Sequence, residues 1–351
     1  MKALSGTVDL LRSQFRSSAR VRIGKLESSI YHLIIVPLVA FLPPVLAYGV
    51  AVLVGDLRYR FYREYREKVE SALGYVFGER LSHEACSRAA RDWYRVQACE
   101  TIDVMRLIGN GSPLRRLVEI RGLEHVEAAL AAGKGALVCT AHFGSSLCVW
   151  SLLGSLGLPI CNIASWSYDD DRLSPVDRML YRLLQNRPVI HHLRHPNIVR
   201  QRGKIGVAVQ AAIFLRRNEL VGIMIDHSEA GAPSDSAAAH MSVDFLGCKA
   251  TLLAGAPIIA RLTGAQILVA LMVRSPDWRH QVLEISPPIS MQDGAQAAFL
   301  KCLAILEDAI YRNPGHWVKW NPTAMTQLKI LPTLSVSSTL GAHTLENDLK
   351  S

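Results

Sequence analysis

Two short apolar segments constrain the fold of this 351-residue chain more than any other feature. Residues 136–141 and 220–225 each contain β-branched side chains, and each is followed directly by a polar residue. Strands that are apolar on both faces are typical of parallel sheets whose two faces are covered by helices. The two segments therefore predict buried strands inside an α/β fold.

The rest of the chain alternates between strand patterns and helix patterns. Further strands are predicted at residues 121–126, 158–164, 266–273 and 281–285. Helices are predicted at 57–77, 82–108, 126–132, 147–156, 175–185, 204–217, 251–263 and 296–311. Residues 228–242 are rich in small and polar residues, which predicts a mobile loop. Such alternation predicts an α/β fold with a mostly parallel or mixed sheet covered by helices.

An uncharged segment precedes this domain. Residues 28–55 contain no Asp, Glu, Lys or Arg, but Pro37 and the pair Pro43-Pro44 interrupt them. The resulting short apolar halves and the basic residues on both flanks favour a re-entrant or interfacial helical hairpin at a membrane. A single membrane span and a hairpin buried in the core are the alternatives.

The composition of the chain indicates which kinds of partner it can bind. The formal net charge is +9, which indicates an anionic partner such as a membrane surface or a phosphorylated substrate. No nucleic acid is expected, because the basic residues do not alternate with aromatic ones. The seven cysteines have no CxxC or other metal spacing, so free thiols in a reducing compartment are predicted.

Two polar residues follow the two apolar strands. His142 comes after the strand at 136–141, before Gly144-Ser145-Ser146 opens a helical pattern, and Asp226 comes after the strand at 220–225. Open α/β sheets bind ligands outside the carboxyl ends of their strands. We expect His142 and Asp226 to share that edge. The alternatives are that His142 only packs or caps, and that Asp226 only structures its loop.

Several segments, in this order and spacing, carry a resemblance to a known family. They are Leu42-Pro43, Leu46-Ala47-Tyr48, 121–125, 131–136, Ala141-His142-Phe143-Gly144, Asp226-His227, 244–247, 260–265, Trp317 and Trp320. From about residue 41 to 322 the chain resembles the late acyltransferases of lipid A biosynthesis, within the lysophospholipid acyltransferase superfamily. The resemblance implies an acyltransferase α/β domain at 57–325, after a basic segment at 1–27 and a membrane-associated segment at 28–56. Residues 326–351 form a polar tail that is predicted to be disordered.

The resemblance also implies a reaction. Family members move a fatty acyl chain, usually from acyl carrier protein, to a hydroxyl of a glycolipid. For this chain we expect a thioester of acyl carrier protein or coenzyme A as the donor, and a hydroxyl or amine of a glycolipid or saccharide-linked lipid as the acceptor. They work at the cytoplasmic face of the inner membrane, with no metal or redox cofactor. His142 is the implied general base, and Phe143, Gly144 and Ser145 are the implied substrate-binding residues.

One position departs from the family pattern. The family pairs its histidine with an Asp or Glu five residues later, but here that position holds Leu147. An apolar side chain cannot fix the tautomer of an imidazole. Asp226 is the candidate replacement, and Asp244, Glu229 and 169–171 are weaker ones. The alternative function is a catalytically weak or inactive relative that binds lipid or a membrane assembly.

Overall fold

The computed structural model describes residues 35–107, 111–164, 191–195, 197–199, 206–228 and 240–330. The helix predicted at 175–185, the acidic run at 169–171 and Glu229 lie outside these ranges. Most of the predicted polar tail and most of the predicted loop at 228–242 also lie outside them.

A seven-stranded sheet forms the centre of the molecule, beside a separate two-stranded hairpin. The strands are β1 (Val118–Arg121), β2 (Ala136–Thr140), β3 (Ile160–Ala164), β4 (Ile198–Val199), β5 (Leu220–Met224), β6 (His240–Phe245), β7 (Cys248–Leu253), β8 (Gln266–Arg274) and β9 (Gln281–Ile285). The order in the large sheet is β1-β9-β8-β2-β5-β3-β4. Among the described strand pairs of this large sheet, only β8–β9 is antiparallel. The predicted mixed α/β sheet is therefore confirmed.

Helices cover the sheet, and the first five of them precede β1 in the chain. They are α1 (Val36–Ala40), α2 (Pro44–Phe61), α3 (Arg63–Phe77), α4 (His83–Arg106), α5 (Ser112–Arg115), α6 (Leu123–Ala131), α7 (Val149–Ser155), α8 (Val207–Arg216), α9 (Gly255–Thr263), α10 (Gly294–Arg312) and α11 (Pro322–Gln327). Short 3-10 turns occupy Gly78–Arg80, Ser146–Cys148, Pro314–His316 and Val318–Trp320. The side chain of Ser82 caps α4 by accepting a hydrogen bond from the N–H of Ala85.

Strand β2 lies at the middle of the sheet, between β5 and β8, and is buried throughout. Its side chains alternate between two cores: Leu137 and Cys139 pack into one, and Ala136 and Val138 into the other. Full burial of a leucine or valine side chain stabilises the fold by about 1.5–3 kcal/mol. This explains why the segment is apolar on both faces.

The hairpin β6–β7 includes the end of the predicted loop at 228–242 and the start of the predicted helix at 251–263. Residues 251–253 belong to β7 rather than to the predicted helix, which begins only at Gly255. Leu246 and Gly247 both have positive φ values and form the tight turn that reverses the chain. Pro257 thereby falls in the first turn of α9, where a missing N–H breaks no helical hydrogen bond. The helix prediction was wrong at these residues because an apolar run does not distinguish strand from helix.

The first two helices form a bent pair that packs on α4. The break at 41–43 contains Pro43, and α2 then continues beyond residue 56 to Phe61. Small residues of α2 face α4, and a Cβ at Gly55 would lie 2.7 Å from the Cα of Arg95. Within the described ranges, no helix is both long enough and apolar enough to span a bilayer.

Candidate active site

The register of β2 and β5 brings His142 and Asp226 together. Thr140 pairs with Met224, so the residues two positions beyond them leave the sheet side by side. Nδ1 of His142 lies 2.8 Å from Oδ1 of Asp226. The backbone N–H of His142 donates to Oδ2 of the same carboxylate at 2.9 Å. The shared edge expected from the sequence is present.

Asp226 is fully buried, yet three donors surround its carboxylate. Besides the two groups of His142, the indole N–H of Trp317 donates to Oδ2 at 2.9 Å. Burial opposes ionisation, but His142, Lys319 and Trp317 together hold the pKa of Asp226 well below its usual range. The carboxylate is therefore ionised and accepts hydrogen bonds from fixed directions.

This arrangement determines which face of the imidazole is available. A carboxylate at Nδ1 holds the proton on that nitrogen, so the lone pair lies on Nε2. The His142 side chain remains 28% exposed, whereas Asp226 is sealed from solvent. An exposed imidazole with a carboxylate behind it is the arrangement of a general base.

A C-terminal segment fixes the loop that follows His142. Phe143 forms an isolated antiparallel bridge with Trp317, and its ring stacks on His316. The backbone N–H of Val318 donates to the carbonyl oxygen of His142 at 2.8 Å. Gly144 has φ +59°, and a Cβ there would overlap the carbonyl oxygen of Met272. Only glycine fits this turn without strain.

Ser145 lies beneath the site and is fully buried. Its hydroxyl donates to Oδ2 of Asp103 at 2.5 Å and accepts from Nη2 of Arg274 at 2.7 Å. Arg274 also contacts Asp103 directly, and the hydroxyl of Tyr48 donates to Oδ1 of Asp103 at 2.5 Å. The Ser145 hydroxyl therefore belongs to an internal network that connects α2, α4, the loop after β2, and β8.

Glu100 is a site residue that the sequence analysis missed. It projects from α4, and its Oε1 accepts hydrogen bonds from the N–H of Leu147 at 3.0 Å and from Oγ of Ser146 at 3.3 Å. Burial and nearby Asp103 raise its pKa to about 7, although the Leu147 and Ser146 hydrogen bonds and His142 oppose this. Glu100 and Asp103 stand three positions apart on the buried face of α4. Acidic residues within an apolar helical stripe were the available signal.

Three other residues from the sequence analysis are Asp244, His227 and Leu147. Asp244 is 75% exposed on β6, where Lys249 contacts its carboxylate at 2.7 Å. The ring of His227 lies 6.4 Å from that of His142, measured between centroids. Leu147 is 37% exposed. In the part of the chain that the structure describes, no three His, Cys, Asp or Glu side chains are arranged to hold a metal ion.

Comparison with known proteins identifies one matching family. The model of the bacterial lipid A biosynthesis acyltransferase family matches residues 18–321, which is most of the chain. No curated protein matches the sequence. The matched range includes both apolar strands, the His142 loop, Asp226 and Trp317.

Proposed function

Because the chain belongs to the bacterial lipid A biosynthesis acyltransferase family, we propose that it transfers a fatty acyl group from a thioester to a glycolipid. The donor is a thioester of acyl carrier protein or of coenzyme A, and the acceptor is a hydroxyl or amine. The observation that carries this proposal is the pairing of His142 with buried Asp226 at the carboxyl edge of the sheet.

The reaction follows from the exposed nitrogen of His142. The acceptor hydroxyl or amine gives its proton to Nε2 while its oxygen or nitrogen bonds to the thioester carbonyl carbon. The carbon–sulfur bond then breaks, and the leaving thiolate takes the proton from the imidazolium. Asp226 stabilises the imidazolium and keeps the ring oriented throughout. Phe143 and Gly144 fix the loop that presents His142.

The position of Asp226 bears on the alternative function. Leu147 removes the family carboxylate in sequence, but Nδ1–H of His142 donates to Asp226, which supplies the same kind of group from the end of the neighbouring strand. A protein that only binds lipid needs no ionised carboxylate behind an exposed imidazole. The inactive relative is therefore not favoured.

The surface of α1 and α2 supports attachment to a membrane. Large apolar side chains are exposed along these helices and the turn between them: Leu38, Phe41, Val45, Leu46, Leu53, Leu57 and Phe61. Phe41 is 83% exposed, and α2 ends with Arg58 and Arg60 in its last turn. An exposed apolar helical surface that ends in basic residues suits the interface of an anionic membrane. We place this surface in the cytoplasmic leaflet of the inner membrane.

Replacement of the base tests the reaction. In His142→Ala, transfer of a labelled acyl group from acyl carrier protein or coenzyme A should fall by about 10²–10⁴-fold, because general base catalysis is lost. The assay uses membranes that contain the native acceptor. His280→Ala is the matched control, since His280 is an exposed histidine in the turn between β8 and β9. A folded His142→Ala protein with wild-type transfer would refute the assignment.

Sedimentation tests the membrane surface. Phe41→Asp should move much of the protein from anionic vesicles into the supernatant, because a charge replaces an apolar anchor. Leu262→Asp is the control, since Leu262 is 62% exposed on α9, away from the proposed surface. Equal sedimentation of the wild type, Phe41→Asp and Leu262→Asp would contradict attachment through α1 and α2.

A further inference from the structure

The carboxyl group of Glu100 contacts the loop that carries Leu147, the residue found where the family pattern has a carboxylate. Its Oε1 lies 3.0 Å from the backbone nitrogen of Leu147 and 3.3 Å from Oγ of Ser146. The helix α4, which is remote in sequence, thus brings an acidic group to the loop that begins with His142. The reaction described above does not use this group, because Asp226 already occupies Nδ1 of His142.

The surroundings of Glu100 differ from those of the neighbouring acid. Asp103 is matched by Arg274, Tyr48 and Ser145, so its charge is fully compensated inside the protein. Within the described ranges, Glu100 forms no salt bridge to a lysine or arginine. The ionisable groups that act on it are Asp103, on its own helix, and His142, on the loop after β2. Burial is the main cause of the raised pKa of Glu100, although the residue as a whole is partly exposed.

We propose that Glu100 is a second catalytic carboxyl group of the acyl-transfer site, and that its protonated form donates a hydrogen bond to the thioester carbonyl oxygen. This inference rests on the proposed function. Oε1 accepts from Leu147 and Ser146, which leaves Oε2 to carry the proton and face the substrate. A neutral carboxylic acid held in a partly desolvated site can donate such a bond near neutral pH.

The step balances without any further reactant. As the acceptor attacks the carbonyl carbon, the carbonyl π electrons move to oxygen, and the O–H of Glu100 stabilises the developing negative charge. The electrons return when the carbon–sulfur bond breaks, and Glu100 keeps its proton throughout. The proton of the acceptor passes to His142 and then to the leaving sulfur. With a pKa near 7, a substantial fraction of Glu100 carries the proton at neutral pH.

The pH dependence of transfer tests this role. In the wild type, transfer should fall about tenfold per pH unit above the pKa of Glu100, since the protonated fraction falls by that factor. Glu100→Gln should lack this alkaline decline, because an amide N–H donates at every pH. Glu100→Ala should lose about 10²–10³-fold at pH 6.5, as expected when one donor to a developing oxyanion is removed. Glu127→Gln, at an exposed acid of α6, is the control and should keep the alkaline decline.

Each outcome has a defined meaning. An alkaline decline that persists in a folded Glu100→Gln protein overturns the proposal, while the loss of transfer in His142→Ala still supports the proposed function. If Glu100→Gln does not fold, Glu100→Asp decides: lower transfer with the decline retained supports the role, and wild-type transfer overturns it. If the wild type transfers from neither donor, the proposed function fails and the role of Glu100 fails with it.

Discussion

Two pairs of a carboxylate and a basic side chain are joined by the loop 142–145. The two pairs differ in their exposure to solvent. In the first, His142 is 28% exposed and Asp226 is buried. In the second, Arg274 and Asp103 are both completely buried. The loop 142–145 joins the pairs, because it begins with His142 and ends with Ser145. Since chemistry needs a group that substrate can reach, the exposed pair is the catalytic candidate and the sealed pair is structural.

The sealed pair connects four parts of the fold. Asp103 on α4 accepts from Tyr48 on α2, from Ser145 on the loop and from Arg274 on β8. Arg274 also donates to the carbonyl oxygen of Trp278 at 2.8 Å. Burial opposes the charge of Arg274, but Asp103 raises its pKa above the ordinary value. The network therefore connects the apolar N-terminal helices to the loop that begins with His142.

The largest expected effect on stability comes from breaking the sealed pair. Asp103→Ala leaves Arg274 buried without its counter-ion, so the free energy of unfolding should fall by about 3–5 kcal/mol. Chemical denaturation measures this loss. The double variant Asp103→Leu with Arg274→Met should recover part of it, because both charges are removed together. Wild-type stability of Asp103→Ala would show that the network does not hold the fold.

A buried histidine beside the exposed one gives the next effect. His316 stacks on Phe143, and burial, followed by the charge of Arg274, lowers its pKa to about 4. The pKa of His316 is lower in the folded protein than in the unfolded chain. The free energy of unfolding is therefore highest above pH 6.5 and decreases as the pH falls toward 4. The free energy of unfolding should decrease by about 3 kcal/mol over this range, because one pKa unit corresponds to about 1.4 kcal/mol.

Denaturation at several pH values checks this prediction. His316→Gln cannot take up the proton, so its unfolding free energy should depend less steeply on pH between 4 and 6.5 than that of the wild type. His280→Gln, at an exposed histidine, should keep the wild-type slope. The same slope in His316→Gln and the wild type would show that His316 is not held neutral by burial.

The smallest effect separates stability from activity within the network. Tyr48→Phe removes one hydrogen bond to Asp103, and the free energy of unfolding should fall by about 1.5 kcal/mol. Transfer by the folded protein should stay within about twofold of wild type, because Tyr48 does not contact His142 or Asp226. Tyr65→Phe, at an exposed tyrosine, serves as the control. Unchanged stability with much reduced transfer would make the sealed network part of the catalytic machinery.

The exposed pair was predictable and the sealed one was not, for a physical reason. Strands β2 and β5 are apolar throughout, so the polar residues that follow them stand out, and parallel pairing brings strand ends together. By contrast, Asp103 and Glu100 lie in the last two turns of a 24-residue helix, and Arg274 lies at the end of a nine-residue strand. Their partners depend on how helices pack on the sheet, which local sequence patterns do not specify.

Other parts of the site depended on tertiary contacts for the same reason. The indole of Trp317 reaches Asp226 from an extended residue between two 3-10 turns, 91 positions later. The end of β7 was missed because it belongs to an apolar run that continues into α9. Leu147 signalled a missing carboxylate, but the acid that contacts its backbone comes from α4, and the acid that contacts Nδ1 of His142 follows β5.

The central claim is that His142 and Asp226 act as one catalytic unit, and a double-mutant cycle on acyl transfer tests it most directly. Asp226→Asn alone should reduce transfer by up to about 10⁴-fold, since neutralising the orienting carboxylate favours the wrong imidazole tautomer. His142→Ala alone should reduce it by about 10²–10⁴-fold. Asp244→Asn, at the exposed acid of β6, should change little. The account predicts that the double variant loses no more than the larger single loss. A double loss equal to the product of the two single losses would contradict it.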